Sequence, residues 1–220
     1  MSIPLGRGFF FTFEGIDKSG KSTQVELLRR RLLGCHLPVG YTGTPRDTLR
    51  EPGGTPVGEE IRGLLLHRRH EIDPWAEALL YAAARAQLVA AVLRPSLDEG
   101  FIVLLDRYID SSLAYQGHAR GLGIDRVLEL NRWATGGLLP DMTFLLDLDA
   151  HAASARQQDA PPDRIEREGL ELQERVAEGY REVARRFPAR VQVIDASREP
   201  EAIAAEIDGR VQALLEVSCV

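Results

Sequence analysis

The sequence predicts a three-layer α/β fold in which helices flank a central parallel sheet of about five strands. Short, nearly continuous apolar runs recur along the chain, and such runs suit parallel strands that are buried on both faces. The segments between the runs are long enough for crossover helices. A glycine-rich segment directly follows the first run, and folds of this class bind ligands at the carboxyl ends of their strands. The predicted strands cover residues 9–13, 101–105, 143–148 and 191–194, with one more short strand within 34–54.

Helices are predicted where apolar residues recur at a spacing of three or four. Pro74 suits the first turn of a helix, because that turn leaves its N–H groups unpaired, and Thr55 suits an N-cap. The predicted helices cover residues 24–33, 55–66, 75–97, 125–134, 170–187 and 201–215. The polar stretch 151–167 predicts a mobile flap, or lid. No repeat or linker divides the chain, so one domain spanning residues 1–220 is expected.

Composition predicts an ordinary globular protein, with 44% hydrophobic and 27% charged residues in a chain of 220. No apolar run reaches about 18 residues and the N-terminus lacks a signal-peptide pattern, so we expect a cytoplasmic protein that does not bind membranes. The net charge of −6 argues against a nucleic-acid partner. Cys35 and Cys219 show no metal-ligand spacing, so we expect two unpaired thiols.

Residues 15–22 read Gly-Ile-Asp-Lys-Ser-Gly-Lys-Ser, which matches the phosphate-binding pattern G-x-x-x-x-G-K-[ST] in every required position. The glycines allow successive backbone N–H groups to converge on phosphate oxygens. Lys21 supplies a positive charge, and the hydroxyl of Ser22 can ligate Mg²⁺. A predicted strand precedes the segment and a predicted helix follows it, which is the required order. The segment therefore predicts a site for nucleotide phosphates.

Other segments carry side chains that suit a second phosphate and a base. Asp106 and Arg107 follow a predicted strand, where they can hold Mg²⁺ and a phosphate, although a surface ion pair accounts for them equally well. Tyr81 and Arg85 share one helix face and can cover and hydrogen-bond a flat base. Taken alone, a core tyrosine beside an exposed arginine is the simpler interpretation. The segment 50–55 permits close backbone approach, or merely begins a helix.

Together these segments resemble the thymidylate kinase family, in its order and approximate spacing. The REPGGT segment at 50–55, combined with DRY at 106–108 and AYQG at 114–117, is far more specific than the phosphate loop alone. The resemblance implies a P-loop NTPase fold and transfer of the γ-phosphoryl group of ATP to dTMP, giving ADP and dTDP with Mg²⁺. It also implies a homodimer. It extends over about residues 9–215, through segments 13–23, 50–55, 81–88, 106–108, 114–117, 163–166 and 193–196.

The resemblance implies roles for individual residues. The implied ATP site comprises Gly15, Ile16, Asp17, Lys18, Ser19, Gly20, Lys21, Ser22 and Thr23 of the phosphate loop, with Arg156, Ala196 and Ser197 near the adenine. The implied dTMP site comprises Asp17, Arg50, Pro52, Tyr81, Arg85, Arg107, Ser112, Tyr115, Gln116 and Tyr180. Ser22 and Asp106 are the implied metal ligands, and Lys18, Lys21, Arg107 and Asp17 the implied catalytic residues.

Within the implied acceptor site, Tyr81 replaces the phenylalanine on which the family usually stacks thymine. Arg85 is implied to bond a thymine carbonyl, and Arg50 and Arg107 to clamp the dTMP phosphate. Tyr115 is implied to crowd the 2′ position and so to favour deoxyribose over ribose.

Two features depart from the family pattern. Many bacterial members place arginines in the lid and none at the variable position of the phosphate loop, whereas Lys18 fills that position here and Arg156 is the only basic residue early in the lid. We therefore expect Lys18 to supply charge in the transition state and Arg156 to pack against adenine. The second departure is a longer link at 40–49, which we interpret as a surface insertion without a functional account.

Other functions account for part of this pattern. A deoxynucleoside kinase, or a monophosphate kinase for another base, would share the phosphate loop and the nearby arginine. A nucleotide-dependent switch would share the loop as well. A switch needs no second pocket for a phosphate and a base, however, and the sequence has no Asn-Lys-x-Asp segment for guanine.

Overall fold

Five parallel strands form one sheet in the computed structural model, which describes residues 7–41, 49–67, 71–156 and 163–217. The strand order is β2-β3-β1-β4-β5, so β1 lies at the centre. The predicted α/β class with about five parallel strands is confirmed. The strands are β1 (Phe9–Glu14), β2 (Leu49–Arg50), β3 (Ile102–Asp106), β4 (Met142–Asp147) and β5 (Val191–Asp195).

Both faces of the sheet are covered by apolar side chains. Successive residues of β1 and β3 alternate between two separate clusters, so that Phe10 and Val103 belong to one cluster and Phe11 and Leu104 to the other. Alternation of this kind follows from the period of a strand, in which neighbouring side chains point to opposite faces. Helices must therefore lie on both faces, which gives the three predicted layers.

Nine α-helices lie within the described residues, and wider π-type turns extend three of them. The turns Gly63–His67 and Leu113–Ala119 continue α2 and α5, and Val89–Leu93 joins α3 to α4. The helices are α1 (Lys21–Gly34), α2 (Pro56–Arg62), α3 (Pro74–Leu88), α4 (Arg94–Asp98), α5 (Ile109–Ser112), α6 (Ile124–Thr135), α7 (Ala150–Ser154), α8 (Leu170–Arg186) and α9 (Pro200–Leu215).

Two predicted helix starts, at Thr55 and Pro74, are confirmed, whereas α1 begins at Lys21, before the predicted residue 24. The hydroxyl oxygen of Thr55 accepts a hydrogen bond from the backbone N of Gly58 at 3.0 Å, as an N-cap does. Pro74 opens α3, and the Asp73 carboxylate before it accepts the backbone N–H of Trp75. The helical segment from Ile109 to Ala119 was not predicted.

The continuous helical stretch Pro74–Asp98 is the one described segment that is long and apolar enough to cross a membrane, with a mean hydropathy of 1.4 over its most apolar part. Half of that part is buried within the fold, and the stretch packs against α2 and α6. The buried Glu77 and Arg85 interrupt its apolar character. We therefore interpret it as a core helix.

One cysteine differs from expectation. Cys35 is disulfide-bonded, so the prediction of an unpaired thiol is wrong for this residue. Cys35 and Val217 pack against the same apolar core, so the fold brings the end of α1 towards the C-terminal part of the chain, although the two are far apart in sequence. Cys219 lies outside the described residues, as do 42–48 of the expected insertion and 157–162 of the expected lid.

Candidate active site

A cavity of about 510 Å³ lies at the carboxyl ends of β1, β2 and β3. The register of the sheet brings the predicted segments together there, because Asp106 pairs with Phe13 on one side and with Arg50 on the other. Twelve of the predicted site residues line this cavity, namely Asp17, Lys18, Lys21, Ser22, Arg50, Pro52, Tyr81, Asp106, Arg107, Ser112, Tyr115 and Gln116. Around them, the rest of the phosphate loop and the first turn of α1 contain Gly15, Ile16, Ser19, Gly20 and Thr23.

The phosphate loop has the backbone that its glycines predict. Gly15 has a φ of 137°, and a Cβ there would lie 2.6 Å from the carbonyl oxygen of Leu146, so only glycine fits. The hydroxyl of Ser19 is buried and has no hydrogen-bond partner among the described residues, which suits a loop that receives an anion. The ammonium group of Lys21 donates to the carbonyl oxygens of Ile16 at 2.8 Å and Gly15 at 3.2 Å. Burial, assisted by the charge of Arg107, lowers the pKa of Lys21 to about 8.

Ser22 and Asp106, the two implied metal ligands, lie next to each other. The Ser22 hydroxyl donates a hydrogen bond of 2.7 Å to a carboxylate oxygen of Asp106. Hydroxyl and carboxylate oxygens are the ligands that Mg²⁺ prefers, so these two residues fit the ion. Among the described residues, no group of three or more His, Cys, Asp and Glu side chains can hold a metal. A magnesium ion here would therefore take most of its ligands from nucleotide phosphates and water.

Arg107 lies at the centre of the cavity wall, in a left-handed backbone conformation with a φ of 71°. Its NH1 group donates to the carbonyl oxygen of Gly15 at 3.0 Å and to the hydroxyl of Tyr180 at 2.9 Å, and its NH2 group donates to Asp17 at 2.5 Å. The guanidinium also lies 5.4 Å from the ring centre of Tyr115. Arg107 is thus held between the phosphate loop and the acceptor side of the cavity.

Asp17 is a charged acceptor at the same point. Besides Arg107, its carboxylate accepts the amide of Gln173 at 3.1 Å and the hydroxyl of Tyr115 at 3.4 Å. Burial acts to raise the pKa of Asp17, but the charges of Arg107 and Lys21 outweigh it and lower the pKa. Asp17 is therefore a carboxylate that holds Arg107 in place.

Four residues of the implied dTMP site, Pro52, Tyr81, Ser112 and Gln116, line this cavity. Burial raises the pKa of the Tyr81 hydroxyl above its ordinary value. The amide nitrogen of Gln116 donates to the carboxylate of Glu77 at 2.9 Å, which fixes the orientation of the amide. The pocket therefore combines an aromatic face with oriented polar groups, as a site for a flat base requires.

Arg85 does not lie on the cavity lining. Only 1% of its surface is exposed, and it donates to Glu51 at 2.6 Å, to the hydroxyl of Ser112 at 3.0 Å and to the carbonyl oxygen of Tyr108 at 3.1 Å, and also to Asn131. Since Glu51 and Ser112 line the cavity, Arg85 lies behind them. A bond from Arg85 to thymine stays a prediction.

Tyr180, on α8, is likewise buried behind the lining. Its hydroxyl contacts Arg107, Ser111 and Glu14, so it supports the arginine from behind. Its predicted contact with the acceptor remains a prediction.

Lys18 and Arg156, the two candidates for the catalytic cation, lie against each other. The Lys18 ammonium donates to the carbonyl oxygen of Arg156 at 3.2 Å, and Arg156 donates to the carbonyl oxygen of Lys18 at 2.8 Å. Arg156 also donates to the carbonyl oxygen of Ala196 at 2.9 Å, and Ser197 follows on the exposed turn after β5. The structure thus brings the lid, the phosphate loop and the predicted adenine border together.

Arg164, near the C-terminal end of the lid, is hydrogen-bonded to Glu77, which also holds Gln116 of the cavity lining. This carboxylate is 1% exposed and accepts hydrogen bonds from Gln116, Arg120 and Arg164. Arg164 also donates to the carbonyl oxygen of Leu65 at 2.6 Å. Burial acts to raise the pKa of Glu77, but these donors outweigh it and lower the pKa.

Comparison with known proteins decides the family. The family model described as thymidylate kinase matches residues 13–207. The chain is 53% identical to a thymidylate kinase of Leifsonia xyli over 96% of this chain and all of the relative, and 48% identical to one of Pelotomaculum thermopropionicum over 91% of each. The crystal structure of thymidylate kinase from Ehrlichia chaffeensis is similar with a TM-score of 0.75 and 31% identity, over 93% of this chain and 98% of that one.

The chain belongs to the thymidylate kinase family. The resemblance inferred from the sequence is confirmed, as is the P-loop NTPase fold. The chain is therefore an enzyme that phosphorylates dTMP with ATP as the donor.

Several residues at the site had not been predicted from the sequence. Asp163 and Glu166 line the cavity and cap each other, since each carboxylate accepts the backbone N–H of the other residue at 2.9 and 2.8 Å. Their spacing of three, typical of a capping box, could have indicated this turn. Ser111 and Arg62 also line the cavity but belong to no phosphate-binding or base-binding pattern.

Glu14 was missed as well. It ends β1 and its side chain is fully buried. Burial, with a further contribution from Asp110, raises the pKa of Glu14 to about 7. The one indication in the sequence that Glu14 belongs to the site is its position directly before the phosphate loop.

Proposed function

We propose that this chain transfers the γ-phosphoryl group of ATP to dTMP within the cavity described above, giving ADP and dTDP. The observation that carries the proposal is the position of Arg107, which bonds the phosphate loop through Gly15 and lines the same cavity as Tyr81. A kinase for a nucleoside monophosphate needs this arrangement, because two phosphorylated ligands must meet end to end.

The residues of the cavity supply position and charge. Phosphoryl transfer requires little covalent chemistry from the protein, so catalysis depends on alignment and on neutralising the moving charge. Lys21 and the backbone of the phosphate loop bind the donor phosphates. Arg50 and Arg107 bind the phosphate of dTMP, and Asp17 keeps the guanidinium of Arg107 between the two ligands.

Ser22 and Asp106 would hold Mg²⁺ with the donor nucleotide. When bound, the ion neutralises charge on the phosphates of ATP. The oxygen donors of the two side chains and their contact at 2.7 Å support this assignment.

The base pocket accounts for the choice of acceptor. Tyr81 offers a stacking face to thymine, and Ser112 and Gln116 offer polar groups to its edge. Tyr115 lies against Asp17 and Arg107 and would meet the 2′ position of the sugar. Arg85 supports this wall from behind and, once the base is bound, would reach a thymine carbonyl.

The proposal extends to the whole molecule. All five strands pair in one sheet, which supports a single domain over the chain. Large apolar side chains are exposed on α2, α3 and α6, and α3 packs against the other two helices. They support a homodimer in which a second copy of the chain covers them. We also propose that the enzyme acts in the cytoplasm, without nucleic acid or membrane as a partner.

Release of ADP from MgATP, measured with purified protein and a panel of acceptors, tests the proposed function. The panel contains dTMP, dUMP, dCMP, UMP, AMP and thymidine. We expect turnover with dTMP and weaker turnover with dUMP. A preference for thymidine would indicate a nucleoside kinase instead, and ADP release independent of any acceptor would indicate a nucleotide switch.

A further inference from the structure

Glu14 carries a fully buried carboxylate at the point where β1 ends and the phosphate loop begins, and none of the roles proposed above uses it. A carboxylate removed from water needs hydrogen-bond donors and an opposite charge, because its burial is otherwise costly. The groups that satisfy Glu14 therefore indicate what it does.

One carboxylate oxygen of Glu14 holds the main chain beside Arg107. It accepts the backbone N–H of Tyr108 at 2.7 Å. Tyr108 directly follows Arg107, whose φ of 71° is unfavourable for a residue with a Cβ. The backbone N–H of Arg107 is bonded at 3.0 Å to the carbonyl oxygen of Phe13, the neighbour of Glu14. The end of β1 thus holds the strained backbone of Arg107 on both sides.

The other carboxylate oxygen of Glu14 holds the side chain of Arg107 through two hydroxyls. It accepts from Ser111 at 2.6 Å and from Tyr180 at 3.0 Å. The NH1 group of Arg107 donates to the same two hydroxyl oxygens, at 3.3 and 2.9 Å. A hydroxyl that gives its hydrogen to a carboxylate keeps its lone pairs for a donor on the other side. The two hydroxyl oxygens are also hydrogen-bonded to each other at 2.8 Å, so Glu14, Ser111 and Tyr180 form one network that contacts the guanidinium.

We propose that Glu14 is a positioning residue for phosphoryl transfer, which fixes the NH1 side of Arg107 while Asp17 holds its NH2 side. NH1 also donates to the carbonyl oxygen of Gly15 at 3.0 Å, so the two hydroxyls held by Glu14 add a second and a third acceptor at this nitrogen and restrict the plane of the guanidinium further. The inference rests on the proposed function in one respect, the binding of the acceptor phosphate by Arg107.

The variant Glu14→Gln tests the proposal, because it keeps the shape of the side chain but removes the charge and one acceptor oxygen. Asp110→Asn is the matched control. Asp110 is also a buried carboxylate, 1% exposed, and it lies beside Ser111 in α5, but its ion pair is with Arg190. Both variants replace a buried carboxyl group with an amide in the same region, and only one of them changes a group that contacts the supports of Arg107.

We expect Glu14→Gln to lower kcat/KM for dTMP by about tenfold to a hundredfold, because small displacements of a positioning group are costly. We expect the KM for ATP to stay within about twofold. Asp110→Asn should lower the melting temperature at least as much but change kcat/KM by less than about threefold. Equal kinetic effects of the two variants would overturn the proposal.

A double-variant cycle with Arg107→Ala separates positioning from general stabilisation. If Glu14 acts through Arg107, then Glu14→Gln causes no further kinetic loss once Arg107 is gone. A full additional loss would overturn the proposal. If Arg107→Ala itself leaves phosphorylation of dTMP unchanged, the role of Arg107 and the inference built on it are both wrong, while the activity of the enzyme stands.

The hydroxyl variants Ser111→Ala and Tyr180→Phe keep the proposal testable if Glu14→Gln does not fold. Each removes one of the two groups between Glu14 and Arg107 and leaves the carboxylate in place. We expect each to lower kcat/KM for dTMP by about threefold to tenfold, without a comparable change in the KM for ATP. Unchanged kinetics in both would overturn the proposal.

Discussion

Arg107 shows at the scale of one residue what sequence can and cannot predict. Its place after a strand, next to Asp106, predicted a phosphate ligand at the carboxyl edge of the sheet. Its left-handed backbone was not predictable, because that conformation is held by Phe13 and Glu14 from a strand distant in sequence. Arg85 shows the same limit, since a helix position indicates which face a side chain shares but not that Glu51 and Ser112 lie in front of it.

Lys18 carries the first prediction at this scale. The residue lines the cavity and lies against Arg156. If its charge stabilises the transition state, Lys18→Ala lowers kcat by about 10³ or more, as loss of such a cation does in related phosphoryl transfers. Steady-state kinetics measure this. Arg156→Ala is the control, with a raised KM for ATP as its expected effect. Turnover of Lys18→Ala within about threefold of the parent, together with a large loss in Arg156→Ala, would place the cation in the lid.

Asp106 carries the second prediction. Its replacement by Asn removes a charged oxygen ligand, so we expect the Mg²⁺ concentration for half-maximal activity to rise by roughly tenfold or more. A titration of activity with Mg²⁺ measures the effect. Asp147→Asn is the control, since Asp147 also ends a strand but pairs with Arg181. An unchanged Mg²⁺ requirement in Asp106→Asn would show that the ion binds elsewhere.

At the scale of elements, the four longer strands were predictable because each is a nearly continuous apolar run, although Val193 of the edge strand β5 is exposed. β2 could be placed only within residues 34–54, because two residues, Leu49 and Arg50, show no periodicity. The turns of Leu113–Ala119 were recognised by their resemblance to a family segment and not as a helix. The lid could be located from its polar composition, but its hydrogen bond to Glu77 of α3 could not be predicted.

The hydrogen bonds of Arg164, which connect the lid to the helices beside it, give a prediction about the lid. Arg164→Ala removes a donor from the buried carboxylate of Glu77 and a bond to the carbonyl oxygen of Leu65. We expect a loss of about 1–3 kcal/mol in the free energy of unfolding and a higher KM for dTMP, because Glu77 also orients Gln116. Denaturant unfolding and kinetics measure both. Arg167→Ala, on the exposed side of the same turn, should change neither. An Arg164→Ala variant as stable as Arg167→Ala would contradict this account of the lid.

At the scale of the whole molecule, the order of the strands creates the site. β1 lies between β3 and β4, so the phosphate loop lies beside Asp106, although the two are far apart in sequence. The parallel class was predictable from the apolar runs, whereas the order was not, because every strand shows the same pattern. The large exposed apolar side chains include Val57, Leu64, Trp75, Leu79 and Trp133, which lie on α2 and its extension, α3 and α6.

These exposed side chains give a prediction for the assembly. If a second copy covers α3, the parent protein is a dimer and Leu79→Glu shifts it to a monomer, because the change buries a charge in an apolar contact. Light scattering during size-exclusion chromatography measures the mass. Leu214→Glu, at an exposed position on α9, is the control and should leave the mass unchanged. A monomeric parent would show that the homodimer proposal is wrong.

The central claim is that the cavity at the end of the sheet receives dTMP with its base on Tyr81. Steady-state kinetics of Tyr81→Ala test it most directly, because the residue lines the cavity from α3, an element separate from the phosphate loop. We expect the KM for dTMP to rise by about tenfold or more, as loss of an aromatic stacking face predicts, while the KM for ATP stays within about twofold. Equal increases in both KM values, or no increase for dTMP, would contradict the account.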